Sequence, residues 1–160
     1  MTTTHAVLSL SIPVSWSADW AWGLPLILLT LLVHVFGLLL IGEKAQHFLN
    51  GGMKDGSFPV AFSVIVGGTS LAVTLLLGID GIIWAVAYLV IGALPDASSS
   101  VLYSLSALTA YGHASLDLER RWQLMGALEA LNGMLLFGLS TAFLFGILER
   151  VWQLKESRSR

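Results

Sequence analysis

From Trp22 to Gly42 the chain runs WGLPLILLTLLVHVFGLLLIG without one charged residue. As an α-helix at 1.5 Å per residue this stretch is about 31 Å long, which matches a hydrocarbon core of roughly 30 Å. Lipid offers no partner to backbone N–H and C=O groups, so a segment immersed in it must satisfy them internally as a helix. That run therefore commits the chain to an all-helical, membrane-embedded fold. Composition agrees: 56% of the residues are hydrophobic and 11% charged, against about 25% charged in soluble domains, with a mean hydropathy of +0.80. The lipid bilayer is thus the first partner. Cysteine is absent, which removes disulfides, thiol nucleophiles and thiolate metal sites. Basic residues are too few and scattered to track a nucleic-acid backbone.

Around this first transmembrane helix, 22–42, the chain divides by polarity. Residues 1–21 contain Trp16 and Trp20 and are followed directly by Trp22, and indole rings favour the headgroup zone, so the segment is expected to lie along one membrane face. It opens without Lys or Arg in its first 20 residues, unlike a cleaved signal. Residues 43–59 form a polar linker with the turn signal Asn50-Gly51-Gly52. Next comes a long apolar stretch, 60–94, interrupted only by Gly67-Gly68 and Gly78-Ile79-Asp80-Gly81. Lys44 and Lys54 in the linker and Arg150, Lys155, Arg158 and Arg160 near the basic tail, 153–160, belong together on the cytoplasmic side. One crossing by 60–94 achieves this, two do not. The expectation is three crossings of the cell (inner) membrane, N-terminus outside and C-terminus cytoplasmic. Arg120 and Arg121 are the exception, offset by Asp117 and Glu119.

Between the second and third spans lies 98–113, SSSVLYSLSALTAYGH. Its helical part, residues 99–110, makes about three turns, roughly 18 Å, and cannot cross the core. Such a piece can enter and return, provided its irregular backbone is buried in protein or faces water. Ser98, Ser99 and Ser100 offer N-cap oxygens after Pro95, and Tyr111-Gly112 offers a stop. The last helix, 122–148, carries Gly126, Gly133, Gly138 and Gly146, and its residues Asn132, Leu136, Ser140 and Phe143 recur at helical spacing as a stripe suited to an aqueous cavity. Close helix packing accounts for the glycines equally well.

Leu102-Tyr103-Ser104, Ser106 to His113, Trp122 and the run GALEALNGMLLFGLSTAFLF from Gly126 to Phe145 resemble the pore domain of the two-transmembrane, potassium-channel-like superfamily, closest to its small bacterial ion channel proteins. The resemblance covers about residues 80–152 and makes 60–152 a pore domain. It implies a homotetramer around a central axis, with a re-entrant pore helix and the carbonyls of Thr109, Ala110, Tyr111 and Gly112 as selectivity filter. It further implies His113 at the outer mouth, Glu129 and Asp80 as filter support, and Gly133 or Gly138 as gating hinge. Family filters run Thr-x-Gly-Tyr-Gly-Asp; here Thr109-Ala110-Tyr111-Gly112-His113 reads with the first glycine deleted and the acid replaced. The implied function is passive, weakly selective conduction of monovalent cations, potassium and with it sodium. The implied cofactor list is otherwise empty, with no metal beyond the permeant ions and no small-molecule substrate.

The intramembrane polar residues leave alternatives open. Glu129 is read as bonded to the pore-loop backbone or sharing a proton with Asp80, against a proton or divalent-cation site. His34 is either such a site or a neutral imidazole bonded to a neighbouring helix. A non-conducting channel-like scaffold, accessory subunit or sensor is the alternative function. A haem- or quinone-binding bundle using His34, His47 and His113 is a third, weakened because His47 and His113 fall on opposite sides. An enzyme is not expected, since no Ser/His/Asp arrangement, metal-binding helix motif or phosphate loop stands out in the sequence.

Overall fold

The computed structural model describes residues 17–52, 58–112 and 118–158, and among them the chain is all-helical. Four helices follow in order: α1 Ser17–Gly52, α2 Phe58–Val90, α3 Ala97–Leu108 and α4 Gln123–Arg158, the last entered through a 3₁₀ turn, Arg120–Trp122. Three of them are long and apolar enough to cross a membrane. Each of these exceeds 30 residues, about 50 Å at 1.5 Å per residue, so tilt or protruding ends must absorb the excess.

Helix boundaries depart from the sequence expectation where backbone chemistry outweighs polarity. α1 starts at Ser17, inside the expected interfacial segment, and runs through Glu43–Leu49 to Gly52, because EKAQHFL contains only good or neutral helix formers. α4 likewise carries the tail into helix as far as Arg158. One helix spans Gly67, Gly68, Gly78 and Gly81 without a break, so the second apolar stretch is one long helix and not two. It ends at Val90 rather than 94. Gly92 at φ +66 sets this stop: its N–H donates to Leu89 O and the Ala93 N–H to Tyr88 O, the two bonds of a Schellman cap.

The cap of α3 is Asp96, not one of the three serines. Its carboxylate accepts the Ser99 backbone N–H at 2.9 Å and the Ser99 hydroxyl at 2.8 Å, and these donors hold its carboxyl below the usual carboxylate range. A one-residue-earlier start follows, since Pro95-Asp96 supplies the extended residue a helix entry needs (φ −151°, ψ 165°).

Pairs of touching residues give the helix directions. Gly23 meets Leu128, Thr30 meets Asn132, His34 meets Ser140 and Gly42 meets Phe143, so α1 and α4 run parallel. His34 meets Asp80 while Gly37 meets Leu76, so α2 is antiparallel to both. The ends of α1 and α4 that bear Lys44, Arg150 and Lys155 therefore share one side of the bundle. Three apolar clusters stack along it: Leu26, Trp84, Tyr88, Trp122, Met125 and Leu128 at one end, Leu38, Val73 and Leu76 in the middle, and Leu49, Ile65, Ile147 and Val151 at the other. Trp20 and Trp22 at the first end and Trp152 at the last are exposed, as interfacial anchors should be.

Candidate functional site

α3 packs between α2 and α4 and runs in the direction of α4: Tyr103 touches Gly126, Ser104 touches Glu129 and Leu108 touches Gly133. Two glycines make the approach possible. A methyl group on Gly133 would sit 2.1 Å from the Leu108 carbonyl oxygen, and one on Gly81 would meet Leu105 and Leu108 at 3.0 and 3.2 Å. α3 thus ends about ten residues, roughly 15 Å, down α4, and the chain comes back up to Trp122.

At that lower end the backbone is a second Schellman cap. Ala110 adopts φ +52, its N–H bonded to Ala107 O, while the Tyr111 N–H bonds Ser106 O, both at 2.9 Å. Gly112 follows at φ +70. The positive φ values stand on either side of Tyr111, whose side chain is 82% exposed. Among the described residues no backbone N–H donates to the carbonyls of Thr109, Ala110, Tyr111 or Gly112. The negative end of the α3 dipole points into the same place. His113 lies outside the described residues, as does Asp117.

The two carboxylates, for which sharing a proton was one of the alternatives left open by the sequence, each bond to other partners. Glu129, fully buried, accepts the Tyr88 hydroxyl at 2.7 Å through Oε2, and its Oε1 bonds the Ser104 hydroxyl oxygen. Ser104 Oγ also lies 2.7 Å from Gly81 O. Glu129 therefore supports α3 through a side chain rather than through loop backbone. Asp80 instead faces α1, its Oδ2 2.7 Å from His34 Nδ1, with His34 Nε2 2.9 Å from Ser140 Oγ. This agrees with the imidazole bonded to neighbouring helices. Asp80 belongs to the α1 junction, and among the described residues its hydrogen bond goes to His34 and not to α3.

The stripe expected to line a cavity is turned inward. Asn132, Leu136 and Ser140 are all buried; Asn132 Nδ2 donates to Thr30 Oγ1 at 2.7 Å, and Thr30 in turn donates to Leu26 O. Phe143 fills the space beside Gly42. The outward stripe of α4 is Leu131, Met134, Leu135, Gly138 and Phe145. Both stripes have helical spacing, and the polar one went to the protein interior because lipid cannot satisfy amides and hydroxyls. Of the hinge candidates, Gly133 is needed for contact and Gly138 faces open space.

Two constellations had no sequence signal. Asp19, fully buried in the first turn of α1, accepts the Met125 backbone N–H at 3.0 Å and so caps the entry of α4 from 106 residues away. The second is Ser140–His34–Asp80, a serine–histidine–aspartate arrangement assembled from three helices. It cannot run acyl transfer as it stands: Ser140 is enclosed, and backbone N–H groups around a mid-helix serine are already used by the helix, leaving no oxyanion donors. With both His34 nitrogens bonded, that residue offers none to a haem iron, and His47 is exposed at the far end of α1. Among the described residues no group of three or more His, Asp or Glu could hold a metal ion. Comparison with known protein families, characterised proteins and solved structures gives no match.

Proposed function

We propose that the chain is one subunit of a tetrameric cation channel whose narrowest part is built from Thr109 to Gly112. The observation that carries this reading is the halfway stop of α3. A short helix ends about 15 Å into the bundle, half of a core of roughly 30 Å, with its negative pole there and followed by four carbonyls that, among the described residues, accept no backbone N–H. Oxygen rings of this kind replace the hydration shell of a monovalent cation when several subunits meet on an axis. Left-handed Ala110 and Gly112 flank Tyr111; on this pattern Ala110 stands in for the family's first glycine and Thr109 for the residue before it, so the family's threonine place falls to Leu108, the last residue of α3. Selectivity then depends on how well an alanine holds a glycine's conformation, which favours potassium with appreciable leak of sodium. The membrane is the cell (inner) membrane, with the basic ends of α1 and α4 in the cytoplasm.

One observation favours the non-conducting scaffold as a second reading. The N–H groups of Ala110 and Tyr111 are bonded back to α3, so the segment also works as a plain helix cap. Purified protein in liposomes distinguishes the two. Potassium flux that is lost on Tyr111 or Gly112 replacement, together with a tetrameric mass in mild detergent, supports the channel; a stable monomer with no flux supports the scaffold.

A further inference from the structure

We propose that Glu129 is a neutral carboxylic acid that donates a hydrogen bond to Ser104, making it a positioning residue for the 97–112 segment. Three oxygen–oxygen contacts run in a row, from the Tyr88 hydroxyl to Glu129 Oε2, from Glu129 Oε1 to Ser104 Oγ, and from Ser104 Oγ to the Gly81 carbonyl. Each contact needs one hydrogen. Tyr88 and Ser104 bring one each, and a backbone carbonyl brings none. The third must sit on Glu129. A single arrangement then satisfies every contact: Tyr88 donates to Oε2, Oε1–H donates to Ser104, and Ser104 donates to Gly81 O.

An ionised Glu129 would accept from both hydroxyls and leave Ser104 Oγ facing Gly81 O at 2.7 Å with no hydrogen between two lone pairs. Ser104 is committed to that outward contact. Its neighbours on α3, Ser100, Ser106 and Thr109, turn their hydroxyls back to the carbonyl four residues earlier, whereas Ser104 reaches across to α2. Burial points the same way: Tyr88, Ser104 and Glu129 are each 0% exposed, and among the described residues no Lys, Arg or His is bonded to the carboxyl. An uncompensated charge there would be costly. The acid thereby joins α2, α3 and α4 through one proton, fixing the height at which α3 stops.

This inference concerns the segment on which the channel reading rests, but its test does not require conduction. Infrared difference spectra of purified protein in lipid at neutral pH, wild type minus Glu129→Gln, should contain a protonated-carboxyl carbonyl band that shifts in D₂O. Tyr88→Phe should move that band to higher wavenumber, because the carbonyl loses its donor. Glutamine can donate to Ser104 and accept from Tyr88, so Glu129→Gln should keep the wild-type unfolding midpoint, while Glu129→Ala and Ser104→Ala lower it. Spectra without such a band at neutral pH, or a Glu129→Gln protein as unstable as Glu129→Ala, would overturn the proposal whether or not the protein conducts.

Discussion

Replacing Gly133 by alanine tests the packing of α3 directly, with Gly138→Ala as its control. At Gly133 the new methyl carbon would lie 2.1 Å from Leu108 O and 2.7 Å from Leu108 C, where real contacts stay above 3.0 Å. The obstacle is backbone, so no rotamer change relieves it. α3 must withdraw by about 0.9 Å, and it cannot do so without loosening Ser104 from Glu129 and Leu108 from Gly81. Overpacking of this size costs about 1–3 kcal/mol, from which alanine's helix preference over glycine returns about 1 kcal/mol. Gly138→Ala meets nothing within 4 Å and keeps the return alone. The propensity gain is common to both, so the two variants should differ by the overpacking alone, about 1–3 kcal/mol, Gly133→Ala being the less stable, in denaturant unfolding followed by helicity in mild detergent. Equal shifts for both would refute the close approach of α3 to α4. A channel whose gating responds only to Gly138→Ala would then identify Gly138 as the hinge, since Gly133 would already be accounted for by contact.

Other consequences are open to measurement. His34→Leu or Asp80→Leu alone should cost about 3–5 kcal/mol by stranding a buried polar partner, while the double substitution should cost far less; a double-mutant cycle with additive losses would refute the pairing. Ala110→Gly should stabilise the protein by up to about 1 kcal/mol, because the left-handed backbone costs alanine about 1–2 kcal/mol and glycine's extra freedom returns part of that; a fall in the unfolding midpoint would contradict the φ of +52. In the flux assay the same variant should raise potassium over sodium permeability. Asp96→Ala should lower the unfolding midpoint, and since the native Asp96 carboxyl is held low by Ser99, its contribution is present above the ordinary carboxylate range and disappears as pH falls through the lowered value; a midpoint with the same acid limb in Asp96→Ala would exclude the cap as its source. Flux should fall as external pH drops through about 6.5, where imidazole gains charge, and His113→Asp should abolish the fall.

The fold was legible where a single physical constraint acts alone. Apolar length announced three helices long enough to cross a membrane, and a short serine-rich piece after Pro95 announced a helix that could not cross. Boundaries were less legible, since Glu43 to Leu49 and the residues after Leu148 read as polar linker and tail although nothing in them breaks a helix. Partner choice was least legible. Asp80 and Glu129 looked like a pair because both are carboxylates at membrane depth, yet the helix rotation that brings Asp80 to His34 is decided by α1, whose contact with α2 leaves no mark in local sequence. For the same reason Asp19 and Met125, or Ser140 and His34, each 106 residues apart, could not be joined by spacing. The polar stripe of α4 illustrates the ambiguity in full: its periodicity marks a face, and only the packed structure determines that the face points toward α1.

Why the bundle spends polar residues on its interior follows from the solvent. Between helices in lipid there is no hydrophobic drive, and an interhelical hydrogen bond contributes only about 0.6 kcal/mol on average, so these bonds are poor glue. They are better at fixing position. Leucine and valine contacts such as Leu38, Val73 and Leu76 change little if one helix slides a turn past another, about 5.4 Å, because similar side chains replace them. Two residues forbid such a slide. His34 on α1 touches α2 and α4 at once through its two nitrogens, and Glu129 on α4 touches α2 and α3 through its two oxygens. Moving any one helix by a turn would strand at least one of these groups in an apolar interior, at a cost several times the bond's own worth. Two three-way junctions at different heights therefore set the relative positions of all four helices. They also make α1, which precedes residues 60–152, a fixed part of the frame that holds the end of α3 in place.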